Sequence, residues 1–196
     1  MWCERSVENA LRRSLVVIAL AAHAKPRKMG RRVEESQAYK EAAQALEQSR
    51  RLPELIVVDL DYTVWPFWCE MYDEDDQPRL FPEVNAILQA CRDKHIPLAV
   101  ASRTPTPSVA TAFLRKLGID SWFDSTQLIP YTQKDTTHFP RIQKDMGTSF
   151  GAMIFFDDES GNIARVSRLG VTSILVSTAT GLNTDAFRRG LRQFNS

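Results

Sequence analysis

Two carboxylates, Asp59 and Asp61, follow directly on the apolar run Leu55-Ile56-Val57-Val58. Like charges this close to the end of a buried strand are costly unless a cation or a shared proton accompanies them. Residues i and i+2 of a strand point the same way, and just past its end the chain is free to turn, so both side chains can address one point in space. A divalent metal at that point would account for the pair; the alternative is a strand ending in a solvated turn, where Asp is common. A second apolar run, residues 153–156, also ends in acids, Asp157-Asp158-Glu159. The alternative for that triplet is a helix N-terminus, where the helix dipole favours acidic side chains. A third run, residues 97–101, is followed by Ser102-Arg103-Thr104. If these three ends meet, four carboxylates and a hydroxyl share one crevice, and such a cluster calls for a cation.

The elements that must position these residues follow from the hydrophobic pattern. Strands are predicted at Leu55–Val58 and at residues 97–101, 127–129, 152–156 and 171–176, with helices between them at 83–94, 108–117, 138–146, 162–169 and 183–194. Gly118, Gly147 and Gly170 mark helix ends. This alternation predicts a Rossmann-like three-layer α/β/α fold with a central parallel sheet, whose ligand site lies off the carboxyl ends of the strands. Residues 34–49, rich in Ala, Glu and Gln, read as an amphipathic helix leading into the domain. The expected division is an N-terminal extension over residues 1–50 and a folded α/β domain over 51–196.

Composition narrows the class. The 196 residues suit one domain, and 25 basic against 24 acidic residues leave no net field of the kind that binds nucleic acid. Basic residues are concentrated before residue 52 and acidic ones over 70–76. Cys3, Cys69 and Cys91 make an odd count with no CxxC spacing, which argues for a reducing compartment, against zinc and for an oxygen-ligated metal. The apolar run over residues 15–22 is far short of the roughly 20 residues that span a bilayer. With Arg12 and Arg13 before it, the run reads as a transit-like or dispensable segment, and Met29 offers an internal start. The expected location is cytoplasmic, or a plastid or mitochondrion if residues 1–28 act as a transit segment.

With these residues in place, the chain resembles the haloacid dehalogenase superfamily of phosphohydrolases, and more closely its eukaryotic magnesium-dependent phosphatases, the acid and protein-tyrosine phosphatase type. Residues 57–68, Val-Val-Asp-Leu-Asp-Tyr-Thr-Val-Trp-Pro-Phe-Trp, resemble that family's opening motif; Ala101-Ser102-Arg103-Thr104 resembles its second; Phe155-Phe156-Asp157-Asp158-Glu159 with Asn162-Ile163 resembles its last. Thr137-His138-Phe139 resembles a segment found just after the third motif. The family lysine maps onto Lys134, one residue further from His138 than is usual, with Lys144 as a weaker substitute and a solvated surface charge as the alternative. His138 reads as a helix-start or loop residue.

The resemblance implies a magnesium-dependent phosphate monoester hydrolase that works through an aspartyl-phosphate. Asp59 would be nucleophile and metal ligand, and Asp61 would lend its backbone carbonyl to the metal and use its side chain as acid and base. Ser102, Arg103 and Lys134 would hold the phosphate oxygens. Asp158 would bind Mg2+ directly, and Asp157 would complete the metal site by orienting a bound water. About 40 residues separate Thr63 from Ser102 and about 30 separate Arg103 from Lys134, each stretch already holding a helix, so no cap domain is expected. An open site suits a phosphoprotein side chain or a glycated protein, and a sugar phosphate as well. The expected partner is therefore a phosphorylated protein or a small phosphate ester, with no nucleic acid, no membrane, and the chain a monomer. Trp65, Phe67, Trp68 and Tyr72 either wall the leaving group, with Trp68 as substrate contact, or pin their loop to the core. A receiver domain is disfavoured by Asp61 and by the absence of an early acidic pair, and a dehalogenase by the metal-type acids. A non-catalytic phospho-acceptor or metal-binding scaffold is the other alternative, although every catalytic residue type is present.

Overall fold

The computed structural model describes Val33 and residues 36–196. Five parallel strands, β1 (Leu55–Val58), β2 (Leu98–Ser102), β3 (Ser125–Leu128), β4 (Met153–Asp157) and β5 (Thr172–Leu175), form one sheet in the order β3-β2-β1-β4-β5. A parallel sheet is covered on both faces, so its inner strands must be apolar throughout. Accordingly β1, β2 and β4 are buried at every position. The register pairs Val58 with both Val100 and Phe156, which sets Asp59 level with Asp157 and leaves Ser102 two residues beyond Val100 at the same sheet edge.

The helices are α1 (Gln37–Gln48), α2 (Val84–Asp93), α3 (Pro107–Lys116), α4 (Phe139–Met146), α5 (Ser160–Val166) and α6 (Thr184–Phe194). Ile56, Val58, Leu98, Val100, Ile154 and Phe156 face a core built with α1, α2, α3 and α6. Leu55, Val57, Ala99, Ala101, Met153 and Phe155 face a smaller one built with α4 and α5. Right-handed crossovers dictate this division. The chain steps from β1 to β2 to β3 in one direction and from β3 to β4 to β5 in the other, so the connecting helices fall on opposite faces. The reversal at β1 opens a crevice at the carboxyl edge between β1 and its two neighbours. No further folded module interrupts the connections between strands among the described residues, as expected for a chain without a cap.

One boundary moves. Ala42 and Leu46 of α1 are buried in the larger core, and Tyr39 Oη donates to Asp93 Oδ2 of α2 at 2.7 Å. The folded unit therefore runs Val33–Ser196, not from residue 51. An Ala-rich stripe with one Leu looks solvated in sequence, because methyl groups bury against a neighbour without a strong apolar signature. The transit-like run and the internal start at Met29 lie outside the described residues.

The loop that follows β1 is braced from the far end of the chain. Gly181 has a φ of +58°, and a Cβ there would clash with the edge of the Phe81 ring and lie 2.6 Å from the Thr63 carbonyl oxygen, which accepts the Leu182 N–H at 2.9 Å. Gly181→Ala is expected to cost about 3 kcal/mol through backbone strain and overpacking combined. Urea unfolding measures this directly, and an unchanged midpoint would mean that the loop yields.

Candidate active site

Just past β1 the chain folds back on itself. Tyr62 takes the left-handed conformation at φ 52°, and the Leu60 carbonyl accepts the N–H groups of Thr63, Val64 and Trp65 at 3.2, 2.7 and 3.2 Å. This turn carries Trp65 beneath Asp61, whose Oδ1 accepts from Trp65 Nε1 at 2.6 Å and from the Cys69 amide at 3.2 Å. Asp59 and Asp61 thus line one crevice but do not belong to one close group of oxygens. Carboxylate oxygens of Asp59, Asp157 and Asp158 lie within 4.8 Å of one another, whereas the Asp61 side chain sits outside that group. Glu159, the third acid at the end of β4, turns to Arg103, with Oε2 3.3 Å from Nη1.

Lys134 closes the cluster. Its Nζ donates to Asp59 Oδ1 at 2.6 Å and to Asp157 Oδ2 at 2.5 Å, and the side chain is buried. The extra residue between Lys134 and His138 is taken up by a π-helical turn, Lys134–His138, in which the Phe139 N–H reaches five residues back to the Lys134 carbonyl. From this turn Lys134 reaches Asp59, and His138 reaches the Ser102 carbonyl behind the site. Three carboxylates against one ammonium leave two negative charges in a buried setting, the charge a divalent cation carries, and an all-oxygen donor set suits a hard cation.

The titration behaviour follows from this crowding. Burial pushes the Asp59 carboxyl well above the usual range against the opposing pull of Lys134, with Asp157 and Asp61 adding to the rise. Burial, then the Asp157 charge, moves Asp158 up to about 6. Burial works to lower Lys134, but Asp59 and Asp157 outweigh it, so the ammonium is held charged. Burial also raises Asp61, opposed by the Trp65 and Cys69 N–H groups.

The two acids after β4 differ. Asp157 is saturated with donors: Lys134 Nζ, the Glu159 amide at 2.7 Å, and Asn162 Nδ2 at 3.2 and 3.1 Å from its two oxygens. Asp158 has no such side-chain donors among the described residues and lines the crevice. That crevice is an open cavity of about 250 Å³ bounded by Asp59, Asp61, Ser102, Arg103, Lys134 and Asp158, with Trp68 and Tyr131 at its mouth. Arg103 Nε is buried with no hydrogen-bond partner among the described residues, which leaves a cationic donor beside the cavity.

A family model described as Acid Phosphatase matches residues 73–196, beginning after the loop that carries Asp59 and Asp61. Human Magnesium-dependent phosphatase 1 is 38% identical over 159 residues, covering 74% of this chain and 88% of its own length. The chain belongs to this acid phosphatase family. A HAD-like hydrolase superfamily protein of Schizosaccharomyces pombe is 32% identical over 161 residues, covering 69% of this chain and 92% of that protein. The fold of this phosphatase is that of the haloacid dehalogenase superfamily. A Had-superfamily hydrolase from Ehrlichia chaffeensis superposes with a TM-score of 0.57 at 12% identity, over 76% of this chain and all of that one.

In this phosphatase the aromatic residues after the opening motif divide between the two roles the sequence left open. Trp65 is fully buried, stacked on Phe67 at 5.7 Å and edge-on to Phe113 at 6.0 Å. Tyr72 packs on Phe67 and Phe113. These three pin the loop, and only Trp68, 55% exposed, lines the cavity. Sequence reasoning missed Asn162 as a carboxylate donor, Thr104, Glu70 and Tyr131 as cavity walls, and Trp65 and Cys69 as partners of Asp61. Asn162 stands five residues after Asp157, one turn into α5, a spacing that signals a contact back to the strand end.

His138 is wholly buried and its Nε2 lies 2.8 Å from the Ser102 carbonyl, tying the end of β2 to the π turn. Nε2 donates in that bond, and Nδ1 has no partner among the described residues. Burial lowers the imidazole pKa, partly offset by the Ser102 carbonyl, and Lys134 lowers it further. Because the unfolded chain then binds the proton more readily than the folded one, stability is lost as pH falls below about 6.5. The thermal midpoint of the wild type is expected to fall more steeply between about pH 7 and 5 than that of His138→Gln. Parallel curves for the two proteins would exclude this role.

Proposed function

We propose that this chain hydrolyses phosphate monoesters with Mg2+, through an aspartyl-phosphate on Asp59. The observation that carries the reading is the buried group of Asp59, Asp157 and Asp158, two charges short of neutral, with Lys134 bridging nucleophile and neighbour. Asp59 and Asp158, with the Asp61 backbone carbonyl, would hold the ion; Asp157, its oxygens already taken by Lys134, Glu159 and Asn162, would fix the arrangement from outside and orient a bound water. When bound, magnesium supplies the positive charge that lets an anionic nucleophile approach a phosphate dianion.

The chain's own groups do the rest. Asp59 attacks phosphorus while Lys134 and Ser102, with the Arg103 guanidinium, hold the non-bridging oxygens. Asp61 protonates the departing ester oxygen and later removes a proton from the attacking water. The substrate we favour is phosphotyrosine in a protein. The cavity is open, no cap covers it among the described residues, and Trp68 and Tyr131 stand exposed at its mouth, where an aryl leaving group would lie between them. The second reading is a sugar or ketosamine phosphate, whose hydroxyls would meet the polar groups of Thr104 and Glu70 in the cavity lining.

Turnover of p-nitrophenyl phosphate is expected to vanish in EDTA and to return with added Mg2+. The thermal midpoint should also rise with Mg2+ in the absence of substrate, an effect that Asp158→Asn removes. Undiminished turnover in EDTA would sink the metal assignment. On a panel of phosphotyrosine peptides and hexose phosphates, a higher kcat/KM for the peptides is expected, and the reverse order would favour the sugar ester.

A further inference from the structure

We infer that Trp65 is a positioning residue that decides which oxygen of Asp61 carries the catalytic proton. The proposal rests on the reading of Asp61 as acid and base given above, and adds what makes it one. Oδ1 accepts two N–H groups, Trp65 Nε1 at 2.6 Å and the Cys69 amide at 3.2 Å. An oxygen that accepts from two donors keeps its lone pairs for them, so Oδ1 is fixed toward Trp65 and Cys69 and Oδ2 is the oxygen left to exchange a proton with the substrate. Among the described residues the one donor near Oδ2 is the Cys69 thiol, at 4.0 Å, too long and too weak to compete. The thiol itself is 2.9 Å from Thr104 Oγ1. Asp61 lines the cavity, so the carboxyl is held from behind with one oxygen left for the substrate.

Trp65 suits this task because nothing about it depends on substrate. It is fully buried, stacked on Phe67 and edge-on to Phe113 of α3, so the direction of its N–H is set by core packing. The backbone turn at Leu60 sets its distance from Asp61. A positioned group loses little freedom at the moment of reaction, which is where orientation acts on rate.

The proton then follows one route. As an Asp59 oxygen bonds to phosphorus, the bond from phosphorus to the ester oxygen breaks, its electron pair stays on that oxygen, and Asp61 Oδ2 delivers the proton. In the second half a water oxygen bonds to phosphorus while giving its proton to Oδ2, and the bond between phosphorus and Asp59 breaks to return the carboxylate.

Loss of positioning should matter only where the leaving group needs a proton. p-Nitrophenolate departs without help, whereas an alkoxide does not. In Trp65→Phe, kcat/KM is expected to fall at least about tenfold more on an alkyl phosphate such as glycerol 2-phosphate than on p-nitrophenyl phosphate, in line with the size of general-acid effects. Equal losses on the two substrates would show a merely structural role and overturn the proposal. Should the phenylalanine variant fail to fold, 3-benzothienylalanine at position 65 keeps shape and stacking while removing the N–H, and the same ratio is read. Asp61→Asn is the control. If it too lowers both substrates equally, the assignment of Asp61 as acid fails; if it discriminates and the Trp65 variants do not, only the positioning role falls.

Discussion

Asp59→Asn is expected to lower kcat on p-nitrophenyl phosphate by roughly 10⁴-fold or more, the scale seen when a covalent nucleophile is removed from a preassembled site. A neutral amide cannot form the acyl phosphate, and no other carboxylate stands in its place. Asp61 is turned to Trp65 and Cys69, and Asp157 is engaged by Lys134, Glu159 and Asn162. The fold should survive the change. Burial and the neighbouring acids already push the Asp59 carboxyl upward, so its ionised form strains the metal-free protein near neutral pH, and Lys134 keeps its second partner in Asp157. The metal-free thermal midpoint of the variant is accordingly expected to equal or exceed that of the wild type. Acid-quenched wild type should yield a phosphorylated peptide containing Asp59, and the variant none. Turnover within about tenfold of the wild type would transfer the nucleophile's role elsewhere.

Lys134→Met carries the second large effect, on stability and rate together. Among the described residues the ammonium is the one cation bonded to two of the three clustered acids, and its side chain lies over the Phe155 ring, with Nζ 5.4 Å from the centroid. Removing one partner of a buried charge pair costs about 3–5 kcal/mol, because it leaves unpaired charge in a poor solvent for it. The thermal midpoint without metal should fall accordingly, and Mg2+ should recover part of the loss, since the ion competes for the same negative charge. Activity with saturating Mg2+ is expected to drop by about 10²–10³, the range for losing one fixed electrostatic contact to a transferring group. A stability change under about 1 kcal/mol would mean that the acids are neutral in the metal-free protein and that Lys134 does not hold them.

Much of the framework was legible before any coordinates. β1 coincides with its apolar run, and β2 and β4 lie within a residue of expectation, because inner strands of a parallel sheet are apolar on both faces and stand out as runs; β5, at the sheet edge, lies within a residue through its apolar pair Ile174-Leu175. β3 is displaced by two residues, to Ser125–Leu128, where an edge strand carries Ser, Thr and Gln and the apolar signal fades. α5 begins at Ser160 instead of 162, since nothing local told the turn after Asp158 from the helix itself. The assignment of α1 to an extension failed for a related reason: alanines bury silently.

The site was legible in its ingredients and not in its pairings. Acids at two strand ends and Ser102 at a third follow from sequence alone, because a strand's end is marked by the residue that stops being apolar, and parallel topology brings those ends to one edge. Which acid meets which partner was decided by the tertiary structure. Lys134 reaches Asp59 across 75 positions of chain through a π turn that composition does not announce, and this contact makes the group short by two charges. Asp59 and Asp61, two residues apart and alike in type, take opposite parts because one faces Lys134 and the other an indole N–H fixed in the core. Local sequence determines where a charge sits along the chain; the free energy of that charge depends on what surrounds it in space.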